Sequence, residues 1–238
     1  MEQPLLLNAD CRIALPVFGA YDLLIVDPPY GDTSLSWDRK VRGWEAMALA
    51  CLKPTGSMWV FGSMRYFLAE GVPQGFRLAQ DIVWEKHNGS GFSADRFRRV
   101  HEHVVQFYRA DSPWGGVFNA VQTTADATAR TVRRKKRPAH TGHVEASHYT
   151  SVDGGPRLRR SVVQVRSMHG RAIHPTEKPV ELLDLLIRTS CPPGGRVGDP
   201  FAGSAAVGAA CQQAQREYVG CEIDPAYFER GAQRLRQT

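Results

Sequence analysis

The residues best equipped for chemistry in this chain are Asp27-Pro28-Pro29-Tyr30. Residues 23–26 (LLIV), just before them, are a continuous apolar run, as expected of a strand buried on both faces of a parallel sheet. Asp27 stands where the chain must leave that strand. Pro28 and Pro29 fix φ and carry no N–H, so the carbonyls of Asp27 and Pro28 are held in a stiff, extended turn. Tyr30 sets a flat ring beside them. In open α/β sheets, ligands bind outside the carboxyl ends of the strands, where this turn must lie. Acceptors without donors, next to an aromatic plate, suit a planar ring bearing an exocyclic NH₂, that is, a nucleobase amine. Asp-Pro-Pro alone reads more readily as a strand-ending turn, because Asp and Pro are ordinary turn residues. The buried strand before it and Tyr30 behind it favour chemistry.

A second constellation lies near the other end. Residues 195–204 (GRVGDPFAGS) read as a short strand running into a glycine-bearing turn, and 205–213 as a helix of small residues. Gly203 lets the backbone approach a ligand closely, and Ala205, Ala206 and Gly208 let the helix sit tightly on the sheet. Residues 218–224 (YVGCEID) read as another strand ending in acid. Glu222 follows Gly203 at about the twenty-residue spacing that brings an acid to ribose hydroxyls in dinucleotide-binding folds.

Together, Asp27-Pro28-Pro29-Tyr30 and Asp199-Pro200-Phe201-Ala202-Gly203-Ser204 resemble the target-amine and cofactor motifs of the DNA amino-methyltransferases. These enzymes methylate adenine N6 or cytosine N4 with S-adenosyl-L-methionine. The resemblance implies that Asp199, Phe201 and Gly203 surround the methionine and adenosine portions, with Pro200, Ala202 and Ser204 in the same turn. It implies that Glu222 binds the ribose, with Ile223 and Asp224 beside it. His174-Pro175-Thr176-Glu177-Lys178-Pro179 is similar to the family's remaining cofactor motif, which adds His174, Thr176 and Lys178. Thr176 can also cap the helix expected over 180–191. Asp27 and Asp10 join the cofactor set by position, although Asn8-Ala9-Asp10 departs from the Gly-Asp pair common in the family. Residues 83–88, 99–104 and Trp37-Asp38 match weaker family features. The target motif precedes the cofactor motif, which resembles the β-class, whose two halves are permuted about the target-recognition region.

The elements that must position these residues alternate. Strands are expected at 5–7, 23–26, 56–62, 79–84 and 104–108, with helices at 44–52 and 64–70. The implied fold is α/β, a doubly wound, mostly parallel sheet of the Rossmann-like methyltransferase kind, with an inserted basic target-recognition region. The strands at 79–84 and 104–108 are expected to form an antiparallel edge hairpin, joined by a polar stretch over 86–99. Residues 1–109 then form the catalytic half, 110–170 the target-recognition region and 171–238 the cofactor-binding half.

Charge supports that division. Residues 96–171 hold 15 Lys/Arg against 5 Asp/Glu, whereas the rest holds 15 against 19. The basic excess centres on Arg133-Arg134-Lys135-Lys136-Arg137, and clusters of this density track a polyanion. Arg98, Arg99, Arg157, Arg159 and Arg160 complete the expected DNA-binding set, with double-stranded DNA as the partner. Five scattered cysteines without a CxxC pair argue against zinc and against a disulfide framework. His101 and His103 share a strand face but lack a convincing third ligand, so no metal is expected. No basic leader or membrane-length apolar run occurs, so a cytoplasmic protein is expected. A homodimer and a cognate restriction endonuclease stay open as partners.

The expected activity is methyl transfer to the N6 amine of a flipped adenine, with Tyr30 stacked on the base. An initial Asp in the motif leans toward adenine in this family and Ser toward cytosine, which keeps cytosine N4 as the alternative. An inactive DNA-binding module on the same fold is a second alternative, although Asp27, Gly203 and Glu222 are intact. Carbon-5 cytosine chemistry needs an attacking thiol, usually after Pro, and no Pro-Cys dipeptide occurs.

Overall fold

The computed structural model describes residues 3–31, 38–90, 94–120, 122–124, 128, 130–133, 148–168, 170 and 172–237. Among these, the main sheet has eight strands. Their spatial order is β1 (Leu5–Asn8), β12 (Glu217–Glu222), β11 (Arg196–Asp199), β2 (Tyr21–Val26), β3 (Leu52–Gly62), β5 (Arg99–Arg109), β4 (Phe76–Ser90) and β10 (Val162–Gln164). All neighbours run parallel except the pairs β5 makes with β3 and β4. The doubly wound, mostly parallel α/β sheet is therefore present.

Alternation along β2 splits the core in two. Leu23 and Ile25 point into one cluster, with Leu182, Leu183, Leu186 and Ile187 of α4 (Val180–Ser190) and the small residues of α5 (Ala206–Ala214). Leu24 and Val26 point into the other, with Trp44, Met47 and Ala48 of α2 (Trp44–Cys51) and Cys11 of α1 (Cys11–Ala14). The four α4 side chains recur as one stripe and are at most 2% exposed. Burying each contributes about 1.5–3 kcal/mol before entropy. This stripe anchors the segment carrying His174, Thr176 and Lys178.

Chain direction then fixes where a ligand can sit. From β11 the chain passes through α5 to β12 on one side, while from β2 it passes through α2 to β3 on the other. β11 and β2 are adjacent and parallel, so a crevice opens beyond their carboxyl ends. Asp27 leaves β2 there, and Pro200 leaves β11.

Three local expectations differ from the structure. The β4–β5 hairpin is antiparallel but does not form the edge, because β10 pairs outside β4, with Val163 opposite Trp84. The short apolar alternation at 161–165 covers Trp84, whose indole N–H donates to the Val165 carbonyl at 2.8 Å. β4 itself runs to Ser90, so pairing with β5 extends strand into a polar stretch expected as loop. Thr176 does not cap α4. Pro179 occupies the N-cap, without a side-chain bond to the helix.

By its internal contacts the chain divides into two units, residues 1–120 with 161–238, and residues 121–160. The smaller unit holds two antiparallel pairs, β6 (Thr123–Thr124) with β9 (Arg157–Leu158), and β7 (Thr131–Arg133) with β8 (His148–Thr150). No described helix is long and apolar enough to cross a membrane.

Candidate active site

Beyond the carboxyl ends of β2 and β11 the larger unit encloses a cavity. Asp27, Pro28, Pro29 and Tyr30 line it, as do residues 199–204 and Glu222, Ile223 and Asp224. Asp10, His174, Thr176 and Lys178 complete the lining expected from the sequence, so every residue of the catalytic and cofactor sets faces one space.

At the β11 end the backbone takes a form few residues adopt. Gly203 has φ +51° and Ala205 φ +55°, both left-handed. For Ala this costs about 1–2 kcal/mol, and such strain concentrates at functional turns. The turn is tied down by Glu222, whose Oε2 accepts the Gly203 N–H at 2.7 Å while Oε1 accepts the Asp224 N–H at 2.8 Å. Each carboxylate oxygen keeps a further lone pair for a ligand hydroxyl. Burial pushes the Glu222 carboxyl above its usual range, against the bonds from these N–H groups. Asp10 caps α1 by accepting the Arg12 N–H at 2.9 Å and pairs with the Arg12 guanidinium. His174 stacks edge-on against Tyr227, with ring centroids 4.3 Å apart. Burial lowers its pKa, and its Nδ1 lies 3.1 Å from the Thr176 hydroxyl.

Asp199 is a deeply buried acid, 2% exposed. Burial pushes its carboxyl up to about 8, although the Tyr218 hydroxyl donates to it at 3.1 Å. Between the unfolded value of about 4 and about 8, the folded chain holds a proton that the unfolded chain has released. This stabilising contribution is full below the unfolded pKa and is lost as pH rises through the folded one, by at most about 1.4 kcal/mol per pH unit. Asp199→Asn, neutral throughout, is expected to flatten that decline. Urea unfolding at about pH 5 and about pH 8 would show it, and an unchanged pH dependence would contradict the assignment.

At the β2 end the structure adds what the sequence did not reveal. Both oxygens of Asp27 are engaged, Oδ1 by the Tyr30 hydroxyl at 2.7 Å and Oδ2 by the Lys178 ammonium at 2.5 Å. Tyr30 packs on Tyr66, with centroids 5.1 Å apart, so its ring is part of the wall. Lys178, expected among the cofactor contacts, lines the cavity and donates to the Asp27 carboxylate. Burial alone would lower its pKa, but Asp27 and Glu102 reverse this and hold the ammonium above its usual range. Glu102, absent from the expected set, also lines the cavity, and its Oε1 accepts a bond from Lys86. Alternation explains the grouping. Glu102 lies on the same face of β5 as Val104, which shares a cluster with Ile25 and Phe61, and Asp27 continues the parity of Ile25. Flanking histidines at 101 and 103 put Glu102 alone on the inward face, a signal present in the sequence. Asp38 is a further addition, since its Oδ1 accepts the Gly31 N–H at 2.8 Å. Trp37 lies outside the described residues.

The basic residues are placed unevenly. Arg98 and Arg99 are exposed where the chain enters β5, and Arg133 is exposed at the end of β7. Arg134, Lys135, Lys136 and Arg137 lie outside the described residues. Arg159 and Arg160 are exposed. Arg157 is engaged within its own unit, where its guanidinium donates to the Thr128 and Pro156 carbonyls and to the Ser151 hydroxyl.

The permuted order of motifs, the sheet and a cavity lined by both turns have the form of a methyltransferase-type site. Residues 21–233 match the N6/N4 methylase family, described as DNA methylase, and the chain belongs to that family. It is 32% identical over 185 residues to type II methyltransferase M.XycI of Xanthomonas campestris pv. cyanopsidis, and 31% identical to type II methyltransferase M.Cfr9I of Citrobacter freundii. Each match covers 77% of this chain and 52% of the relative, so the chain spans about half the length of these curated relatives. Among solved structures, the M1.HpyAVI–SAM complex superposes with a TM-score of 0.66 at 22% identity, covering 98% of this chain and all of that one. The cytosine-N4-specific PvuII DNA methyltransferase gives 0.62 at 16% identity, covering 98% of this chain and 86% of that one. These likenesses establish the fold.

Proposed function

We propose that this chain transfers a methyl group from S-adenosyl-L-methionine to the exocyclic amine of a base in double-stranded DNA, and that the amine is adenine N6. The observation that carries the reading is the opening of the Asp27 turn and the Gly203–Glu222 turn into one cavity.

The residues fit the cofactor. Gly203 presents bare backbone to the cavity, and an added Cβ there would make ordinary contact with the His174 ring, nearest atom at 3.5 Å. Glu222 offers lone pairs for ribose hydroxyls, and the buried Asp199 carboxyl gains a counter-charge when a cation binds near it. When bound, the cofactor supplies an electrophilic methyl group on a sulfonium.

An exocyclic base amine is a poor nucleophile, because its lone pair is delocalised into the ring. The Asp27 carboxylate and the Pro28 carbonyl accept its two N–H bonds and favour pyramidal nitrogen. Asp27 also opposes the positive charge that develops on nitrogen, a preorganised electrostatic effect. The prolines bring no N–H to compete, and the Tyr30 hydroxyl holds the carboxylate in orientation. A base must leave the duplex stack to reach this depth. The Asp at the head of the motif favours adenine over cytosine N4. Exposed Arg98, Arg99, Arg133, Arg159 and Arg160 are proposed to follow phosphates, which position a duplex without reading it.

The test is incubation of the protein with labelled S-adenosyl-L-methionine and duplex DNA. Label is expected in the DNA. Cofactor binding without any transfer would leave the inactive DNA-binding module as the better account.

A further inference from the structure

We propose that Glu102 is a positioning residue, which draws the Lys178 ammonium off Asp27 when the target amine arrives. The inference rests on Asp27 being the acceptor for that amine.

With both Asp27 oxygens engaged, the carboxylate presents little unshared charge to an incoming N–H. Lys178 also weakens the charge that must face the developing cation on nitrogen. Some group has to accept the ammonium if Asp27 is to be released. Among the described residues, Glu102 is placed for it. Its Oε1 accepts from Lys86, while its Oε2 is buried and has no hydrogen-bond partner, a costly state for a carboxylate oxygen. That oxygen lies 3.8 Å from the Lys178 nitrogen. A shift of about 1 Å would turn this contact into a charge-assisted hydrogen bond of ordinary length.

The surroundings permit such a shift without loss elsewhere. Lys178 also donates to the Thr176 carbonyl at 3.2 Å and lies over the Phe61 ring, 5.1 Å from its centroid, so its stem is held while its head has two carboxylates in reach. Lys86 pins Glu102 from the far side and stacks on Trp84, 4.6 Å from the centroid. The four charges Asp27, Lys178, Glu102 and Lys86 thus alternate in sign across β2, the entry to α4, β5 and β4. Moving Lys178 between its neighbours leaves the net charge of the group unchanged.

Two measurements test the device. The first is a kinetic double-mutant cycle. Glu102→Gln is expected to lower kcat about tenfold while the KM for DNA changes less than twofold, and Glu102→Asp to recover part of the loss. In a Lys178→Met background, Glu102→Gln should add almost nothing. Independent losses that multiply in the double variant would overturn the proposal. Asp27→Ala is run alongside, and near wild-type transfer by that variant would instead refute the Asp27 reading. The second measurement needs no turnover. Nitrogen-15 NMR of the lysine ammonium groups, with Lys178 assigned from Lys178→Met, should show its signal shifted in Glu102→Gln without DNA. A signal left where it stands in the wild type would mean that the two groups do not share the ammonium, and would overturn the proposal by itself.

Discussion

Asp27→Ala is expected to reduce methyl transfer by about 10²–10³, the cost of removing one preorganised contact to developing charge, roughly 3–4 kcal/mol of barrier. Cofactor affinity should change far less, because the Gly203 turn and Glu222 lie on other elements. The variant should also fold. Removing one partner of a buried ion pair is often severe, but Lys178 keeps Glu102 within 3.8 Å as a counter-charge. Comparing single-turnover rates with the calorimetric affinity for S-adenosyl-L-methionine separates the two effects. Near wild-type transfer by the folded variant would refute the role given to Asp27.

Gly203→Val is expected to weaken S-adenosyl-L-methionine binding by at least about tenfold, or about 1.4 kcal/mol. Two costs combine. The left-handed φ of +51° penalises any L residue by about 1–2 kcal/mol, and this should appear as lost stability. The branched side chain must also project into the cavity beside His174, and this should appear as lost binding. Gly203→Ala carries the first cost with little of the second, because its Cβ makes only ordinary contact. A folded Gly203→Val protein with unchanged calorimetric affinity would require the cofactor site to be elsewhere.

These positions were legible in the sequence because their signals are local. Asp27 follows its own apolar strand, and Gly203 sits between a strand and a helix of small residues. The charge network was not legible, since Lys178 meets Asp27 across 151 residues of sequence. Only the sheet order, which brings the entry to α4 over β2, creates that contact. Glu102 was half legible. Its alternation with two histidines marks one inward acid on a strand, but not the strand's place beside β3. Neither the packing of the Tyr30 ring on Tyr66 nor the bond from its hydroxyl to Asp27 can be read from the sequence. β10 was missed as a partner of β4 because three residues carry too little pattern to announce a strand, and Trp84 beneath it supplies the reason for pairing. Hydrophobic periodicity in 110–170 occurs only in short pieces, and the described strands of the smaller unit are only two or three residues long.

The most direct test of the account is nucleoside analysis of duplex DNA after incubation with wild-type protein and S-adenosyl-L-methionine, with Asp27→Ala as control. Enzymatic digestion and mass spectrometry should reveal N6-methyl-2′-deoxyadenosine from the wild type and almost none from the variant. N4-methyl-2′-deoxycytidine would keep the amine chemistry and move the target base. A carbon-5 methylated product, or an equal yield from Asp27→Ala, would contradict the central claim that the Asp27 carboxylate acts on an exocyclic amine.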